Sequence, residues 1–369
     1  MTTEFVLSQE QEAAKELILD WLRSPGKQVF KQGGYAGTGK TTLVKHILKE
    51  AGCEFAITSF TGKAVSVLRR KGNPTAQTCH SLLYEPVAEA DGTVTFRKKA
   101  KAELQHIEVI ANDESSMITK DLDNDLRDTG AKILYIGDPG QLEPVGDNPN
   151  LMKDCDYVLK TIHRQAEASP ILHFATDIRT GEPVSTKYSG TNGDSSVEVV
   201  AKNIAINEYV DAVDQIICGY NETRRNINAA IRNHKGFKSE LEEGEKLICL
   251  RNNRPDGLFN GMTLYVAKIR GTFPDCYVCD LTDDLERRFN RIKVNRVALV
   301  EGEWKQSNGR VPYEHNLFTY GYCITCHKAQ GSEWDSVMVI DQANSKLWTA
   351  SRWRYTAITR AARRLIYGI

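Results

Sequence analysis

Residues 34–41, Gly-Tyr-Ala-Gly-Thr-Gly-Lys-Thr, fit the spacing G-x-x-x-x-G-K-S/T. They lie between an apolar run at Val29 and Phe30 and a helical pattern through Leu43, Val44, Ile47 and Leu48. This stretch constrains the fold more than any other. Such a loop works where a strand hands over to a helix: its glycines turn backbone N–H groups inward, and the helix adds the positive end of its dipole. The expected chemistry is phosphate binding, with Lys40 reaching the β- and γ-phosphates and the Thr41 hydroxyl offered to Mg2+. A strand–loop–helix unit of this kind predicts a parallel sheet covered by helices.

The rest of the chain keeps to that α/β pattern. A first helix is predicted from a capping box at Ser8 and Gln11, through Ala13, Ala14, Leu17, Ile18, Trp21 and Leu22, to a stop at Pro25 and Gly26. Strands are predicted at 54–59, 107–112, 132–137, 196–201 and 215–220, and helices at 63–71, 168–180 and 222–234. The pattern breaks twice. Residues 84–100 read as an inserted hairpin turning at Asp91-Gly92, and residues 247–318 as a small all-β insertion without a helix. Residues 189–196 read as a turn-rich loop, and the acidic run from Glu240 to Glu245 as a solvated one.

At about 150 residues per domain, 369 residues suggest two or three domains. Lys and Arg total 48, as do Asp and Glu, which excludes a polycation but leaves room for a local nucleic-acid groove. Mean hydropathy is −0.42, and no apolar run approaches the roughly 18 residues of a membrane span. No secretory signal is visible at the N-terminus, so a cytoplasmic protein, bacterial or of a phage-infected host, with nine reduced cysteines is expected. Cys276-Cys279 and Cys323-Cys326 have C-x-x-C spacing. The first pair falls in a β-prone run, where residues i and i+3 face opposite sides, and neither is followed by the glycines of a zinc knuckle. No zinc is expected at either pair.

Two further apolar strands complete the phosphate site. Residues 107–112 run into Asp113 and Glu114, suited to a Mg2+ shell and to polarising an attacking water. Residues 132–137 run into Asp138-Pro-Gly-Gln141, which places Gln141 to sense a γ-phosphate. The residues alone leave other readings open: a nucleoside kinase with a zinc-stapled lasso, or a P-loop switch that does not translocate. Basic stretches at Arg97–Lys99, Arg287–Lys293 and Arg352–Arg364 read equally as solvated faces or as backbone-contact surfaces. In the second, Phe289 is interleaved with the cations, as base stacking would require.

GYAGTGKT, TSFTGKAVSVL, TCHSLL, NDESSM, GDPGQLEPV, TIHRQ, TCHKAQGSEWDSV and YTAITRA occur in an order that resembles superfamily 1 helicases. The resemblance is greatest to the RecD-like superfamily 1B branch, and in compactness to the phage Dda type. It implies two RecA-like P-loop lobes with ATP between them, over residues 1–83 with 101–166 and over 167–246 with 319–369. It also implies a strand-splitting pin at 84–100 and an SH3-like β domain at 247–318. ATP and Mg2+ are the implied cofactors, and single-stranded and forked DNA the implied partners. The implied activity is that of a monomeric 5′→3′ motor, with replication or recombination proteins among the implied partners.

Carried onto matching positions, the resemblance implies that Gln11 reads the adenine edge. Gly34, Ala36, Gly37, Thr38, Gly39, Lys40, Thr41 and Thr42 bind phosphate; Thr41 and Asp113 hold the metal; Glu114 serves the water. Gln141 couples the γ-phosphate to the DNA groove, and Arg164 and Arg360 act as arginine fingers. Gln330, Gly331 and Glu333 link DNA to nucleotide, and Thr61, His80, Thr325, His327 and Lys328 line the DNA path. Phe96, in the hairpin beside Arg97-Lys98-Lys99, matches the pin aromatic; the alternative is that it packs the hairpin onto the first lobe. Tyr35 departs from the family pattern, standing where relatives often carry Pro.

Overall fold

The expected capping box forms. The Gln11 backbone N–H donates to Ser8 Oγ (3.3 Å) and the Ser8 N–H donates to Gln11 Oε1 (3.0 Å), which starts the helix Gln9–Arg23. Its stripe of Ala14, Ile18 and Trp21 is buried, with Trp21 packed on Phe30. The computed structural model describes residues 7–88, 94–143, 149–162, 168–201, 206–253, 255–283, 286–302 and 315–369.

The first sheet has six parallel strands in the order Gln77–Thr78, Phe55–Ser59, Val109–Asp113, Lys132–Gly137, Val29–Gly34 and Tyr157–Leu159. The two central strands carry unbroken apolar runs, Val109–Ala111 and Ile133–Ile136, because both faces are covered. Ile133 and Tyr135 join a core with Leu82, Leu122 and Leu126, whereas Leu134 and Ile136 join one with Ile18, Leu43 and Ile47. The helix Lys120–Asp128 was not expected. Its inward stripe is only Leu122 and Leu126, too few apolar positions to show a period, and its start is marked by Thr119, whose hydroxyl accepts from the Leu122 N–H.

The second sheet runs Cys323–Thr325, Gln215–Cys218, Trp334–Ile340, Ala361–Gly368 and Ser195–Val200, all parallel, with Gly190–Asn192 antiparallel at the edge. The stretch expected to be a turn-rich loop is thus a short hairpin, turning at Gly193 with φ +55°. The helix Ala350–Ile358 ends before Arg360, which reaches back so that its Nε donates to the Thr356 carbonyl at 3.0 Å.

A third sheet lies in the order His315–Asn316, Arg288–Asn295, Cys276–Asp283, Thr263–Thr272, Lys246–Cys249 and Phe318–Tyr320, antiparallel except for the first pair. It extends beyond the expected span at both ends and contains a helix, Arg296–Glu301. The acidic run is not a solvated loop: Glu245 is fully buried and paired with Arg232 at 2.7 Å, and Glu240 pairs with Arg296. Phe289 packs against this sheet's core rather than standing free as a stacking surface.

Tyr84–Ala88 and Val94–Lys98 form the expected antiparallel hairpin, with Pro86 opposite Phe96; the turn at Asp91-Gly92 lies outside the described residues. None of the nine cysteines is in a disulfide. Cys279 sits in the third sheet's core with Tyr277 and Leu281, so Cys276 faces the other way. Among the described residues no helix is long and apolar enough to cross a membrane.

Candidate active site

The strand Val29–Gly34 delivers the chain into the loop, and Gly37 (φ +78°) and Gly39 (φ +75°) supply the left-handed turns that only glycine takes cheaply. A Cβ on Gly34 would lie 2.7 Å from Lys40 Cγ and 2.8 Å from Thr38 Oγ1, so the side chains fold back over bare backbone. The Lys40 ammonium and the Thr38 hydroxyl both donate to the Tyr35 carbonyl, at 3.0 and 2.8 Å. Gln11, expected at an adenine edge, is 2% exposed; beyond the capping box, its amide donates to the Thr38 carbonyl at 3.3 Å. That bond ties the first helix to the loop.

Two carboxylates meet this loop. Asp113 Oδ2 accepts from the Thr41 hydroxyl at 2.8 Å, and Oδ1 accepts from the Glu114 N–H at 3.0 Å. Glu114 holds φ at +55°, a conformation costing about 1–2 kcal/mol for a residue with a Cβ. Its Oε2 is buried with no hydrogen-bond partner among the described residues. Burial pushes the Glu114 carboxyl above the usual carboxylate range; Asp113 and Asp138 push the same way, and Arg360 and Lys40 pull against them.

The second sheet closes the site. A cleft of about 610 Å³ is lined from the first sheet by Ala36, Gly37, Gly39, Lys40, Thr41, Thr42, Asp113, Glu114, Asp138 and Gln141. From the second it is lined by Gly331, Ser332, Glu333, Thr359 and Arg360. Gly34, Thr38 and Gln330 are not among its lining residues. Arg360 is 5% exposed, and its other nitrogens donate to the Ser332 carbonyl (3.1 Å) and the Thr359 hydroxyl (3.0 Å). Gly331, at φ +70°, brings its backbone near residues that flank the first sheet: a Cβ there would be 3.4 Å from Thr61 Oγ1 and 3.9 Å from Glu114 Cγ. Thr61 caps the helix Gly62–Arg70 by accepting from the Ala64 N–H, and Glu333 pairs with Lys71 at 3.5 Å. Arg164 lies outside the described residues.

The loop after Lys132–Gly137 is held from across the cleft. The Tyr355 hydroxyl donates to Asp138 Oδ2 (2.6 Å) and accepts from the Ala36 N–H (2.8 Å). The Leu142 N–H donates to the Thr356 hydroxyl (2.8 Å), and the Gln330 amide donates to the Leu142 carbonyl (3.1 Å). Arg352 donates to the Gln141 carbonyl (3.0 Å), while Gln141 Oε1 is buried without a partner among the described residues. The Arg179 guanidinium stacks 3.5 Å over the Tyr35 ring. From sequence, Asp138 and Arg352 entered only as parts of a strand end and of a basic stretch, and Arg179 and Tyr355 were assigned no role. Tyr355 and Thr356 lie in the run YTAITRA, so their position was marked without their role; nothing in the sequence marks Arg179.

The expected DNA-path residues fall in separate places. Thr325 is buried at the start of the short helix Cys326–Ala329, which also carries His327 and the exposed Lys328. The His327 ring lies 5.5 Å from that of Trp348, and burial lowers its pKa. His80 sits between the rings of Phe60 and Tyr84, just before the hairpin, and Phe96 on the hairpin is 42% exposed.

A parallel sheet bearing this loop, faced by a second sheet that supplies an arginine, defines a P-loop nucleotide-binding protein. A family model described as an AAA domain matches residues 6–199, and one described as a UvrD-like helicase C-terminal domain matches residues 320–366. The ATP-dependent RecD2 DNA helicase of Deinococcus radiodurans is 27% identical over 96% of this chain and 48% of its own length. The ATP-dependent DNA helicase Dda of phage T4 is 28% identical over 48% of this chain and 43% of its own length. The structure of Bacteroides Pif1 bound to single-stranded DNA has the same fold, with a TM-score of 0.57 at 18% identity, covering 98% of this chain and 92% of that one. The chain belongs to the AAA-domain family and is a RecD-like helicase of superfamily 1B. It spans about half the length of these two curated relatives.

Proposed function

We propose that the chain is a DNA-stimulated ATPase that moves 5′→3′ along single-stranded DNA and separates duplex strands, hydrolysing ATP between the two parallel sheets. The observation that carries this reading is the two-sided cleft. Phosphate, metal and water groups (Lys40, Thr41, Asp113, Glu114) come from one sheet and Arg360 from the other. The direction of travel rests on the family resemblance.

Mg2+ fits the residues present: the Thr41 hydroxyl and the Asp113 carboxylate already converge at 2.8 Å, with Lys40 beside them in the cleft. When bound, it would neutralise charge on the phosphates. Lys40 and the loop N–H groups hold the phosphates in place. Glu114, whose proton affinity burial raises, takes the proton of the attacking water. Arg360 counters charge on the γ-phosphoryl oxygens, a contribution of about 10³–10⁵ in rate for arginine fingers, and Arg164 is proposed as its counterpart. Because Arg360 and the groups gripping the Asp138–Leu142 loop belong to the other sheet, hydrolysis changes what holds the sheets together, and chemistry becomes motion.

The third sheet is proposed as the SH3-like insertion and the hairpin as the strand-splitting pin. Thr61, His80, Thr325, His327 and Lys328 are assigned to the single-stranded DNA path, and the motor is taken to act as a monomer. The decisive measurement is ATP turnover with and without single-stranded DNA. Marked stimulation that Lys40→Ala abolishes, while DNA binding survives, supports the motor; turnover indifferent to DNA overturns it.

A further inference from the structure

Away from the cleft, the third sheet gathers three metal-ligating side chains that no sequence spacing connects. Asp275 ends the turn before the strand Cys276–Asp283, Cys276 opens that strand, and His315 opens the edge strand His315–Asn316. In register, Val278 pairs with Lys293 and Lys293 with His315, so these three side chains leave one face of the sheet. Cys276, two residues before Val278, shares that face, opposite the one that carries Tyr277, Cys279 and Leu281 into the core.

One ligand atom each from Asp275, Cys276 and His315 lies within 4.8 Å of the others, and His315 Nε2 is 3.8 Å from Asp275 Oδ2. Bonds of about 2.0–2.3 Å around a tetrahedral zinc separate its ligands by roughly 3.3–3.8 Å, so a small contraction would close the set on an ion. His315 is 5% exposed, and its Nδ1 has no hydrogen-bond partner among the described residues. A buried imidazole with an unsatisfied nitrogen, facing a carboxylate across a gap too long for a hydrogen bond, is the second sign of a ligand.

We propose that Asp275, Cys276 and His315 bind one borderline transition-metal cation, Zn2+ by their chemistry, with water as the fourth ligand. A donor set of one sulfur, one nitrogen and one oxygen disfavours Mg2+ and Ca2+, which take oxygen. Binding converts the Cys276 thiol to a metal-bound thiolate and releases one proton to solvent, so affinity falls as pH falls. The ion clips the turn before Cys276 to the edge strand. That turn is already held by the Arg296 N–H, which donates to the Asp275 carbonyl at 3.1 Å. The C-x-x-C pair is not the chelate: Cys279 points into the core, and the partners of Cys276 lie beside it and 39 positions on, a spacing that marks no motif.

The test is titration of the chelator-stripped full chain with Co2+ and then Zn2+, without nucleotide. The expected result is one equivalent of tetrahedral Co2+ with a sulfur charge-transfer band, displaced by Zn2+. Cys276→Ser abolishes the band, His315→Ala weakens binding more than about tenfold, and Cys279→Ser changes neither. No saturable band, or a band that survives Cys276→Ser, overturns the proposal. If the buried variants fail to fold, Asp275→Asn at an exposed position decides instead: unchanged Co2+ affinity overturns the site, and weakened affinity in a normally folded protein supports it. ATP turnover is not read, so this outcome is separate from that of the motor.

Discussion

Glu114 combines three abnormalities in one residue: a left-handed backbone, a buried oxygen with no hydrogen-bond partner among the described residues, and a raised pKa. A carboxyl whose folded pKa lies above its unfolded value binds its proton more tightly in the fold. Its ionisation therefore subtracts stability as pH rises through the ordinary carboxylate range and beyond. Glu114→Gln removes that penalty. The variant is expected to match or exceed the wild type in urea unfolding at neutral pH while losing about 10²–10⁴ in kcat. The acid limb of the wild-type pH–rate profile is expected above the ordinary glutamate range and to vanish in the variant. Tyr355 is the opposite case, a residue wholly used for structure at the site. Tyr355→Phe leaves Asp138 Oδ2 and the Ala36 N–H without their partner, with an expected loss of about 1–3 kcal/mol in denaturant unfolding.

At the scale of elements, what the sequence revealed depended on length and period. The strand expected at 132–137 forms over Lys132–Gly137, because five of its six residues are buried and its two faces feed two cores. The helix Arg296–Glu301 escaped notice because six residues hold less than two turns. Its marks were its ends, Asn295 accepting from the Ala298 N–H and Gly302 at φ +71°. Glu245 was misjudged because its partner Arg232 comes from a helix that precedes it, a pairing no local pattern records. The loop glycines, Lys40, Thr41 and Asp113 were legible because each sits at the end of a strand or the start of a helix. Arg179 and Arg352 were not, since they act only once the second sheet docks. The hairpin carries its own prediction. Phe96 is exposed, so Phe96→Ala is expected to shift stability by no more than about 0.5 kcal/mol and to spare DNA-stimulated ATP turnover. Strand separation on a forked substrate is expected to slow; equal loss of turnover and stability would place Phe96 in the packing instead.

For the whole molecule, the decisive geometry is how the sheets meet. Gly331 faces Thr61 and Glu114 from across the boundary with φ at +70°. Gly331→Ala strains this backbone by about 1–2 kcal/mol, while its Cβ would meet Thr61 at an ordinary contact distance of 3.4 Å. The expected outcome is a larger fall in DNA-stimulated than in basal turnover; a uniform fall in both would assign Gly331 to nucleotide binding alone. The two sheets also share interior. Leu142 leaves the first sheet's loop and joins the hydrophobic core of the second, with Tyr35 and Ala36 packed against it. The halves of this chain are therefore not interchangeable modules. A fragment cut between them would carry into water an apolar surface shaped for its missing other half, and any ancestral exchange of one half had to preserve that plug and its socket together.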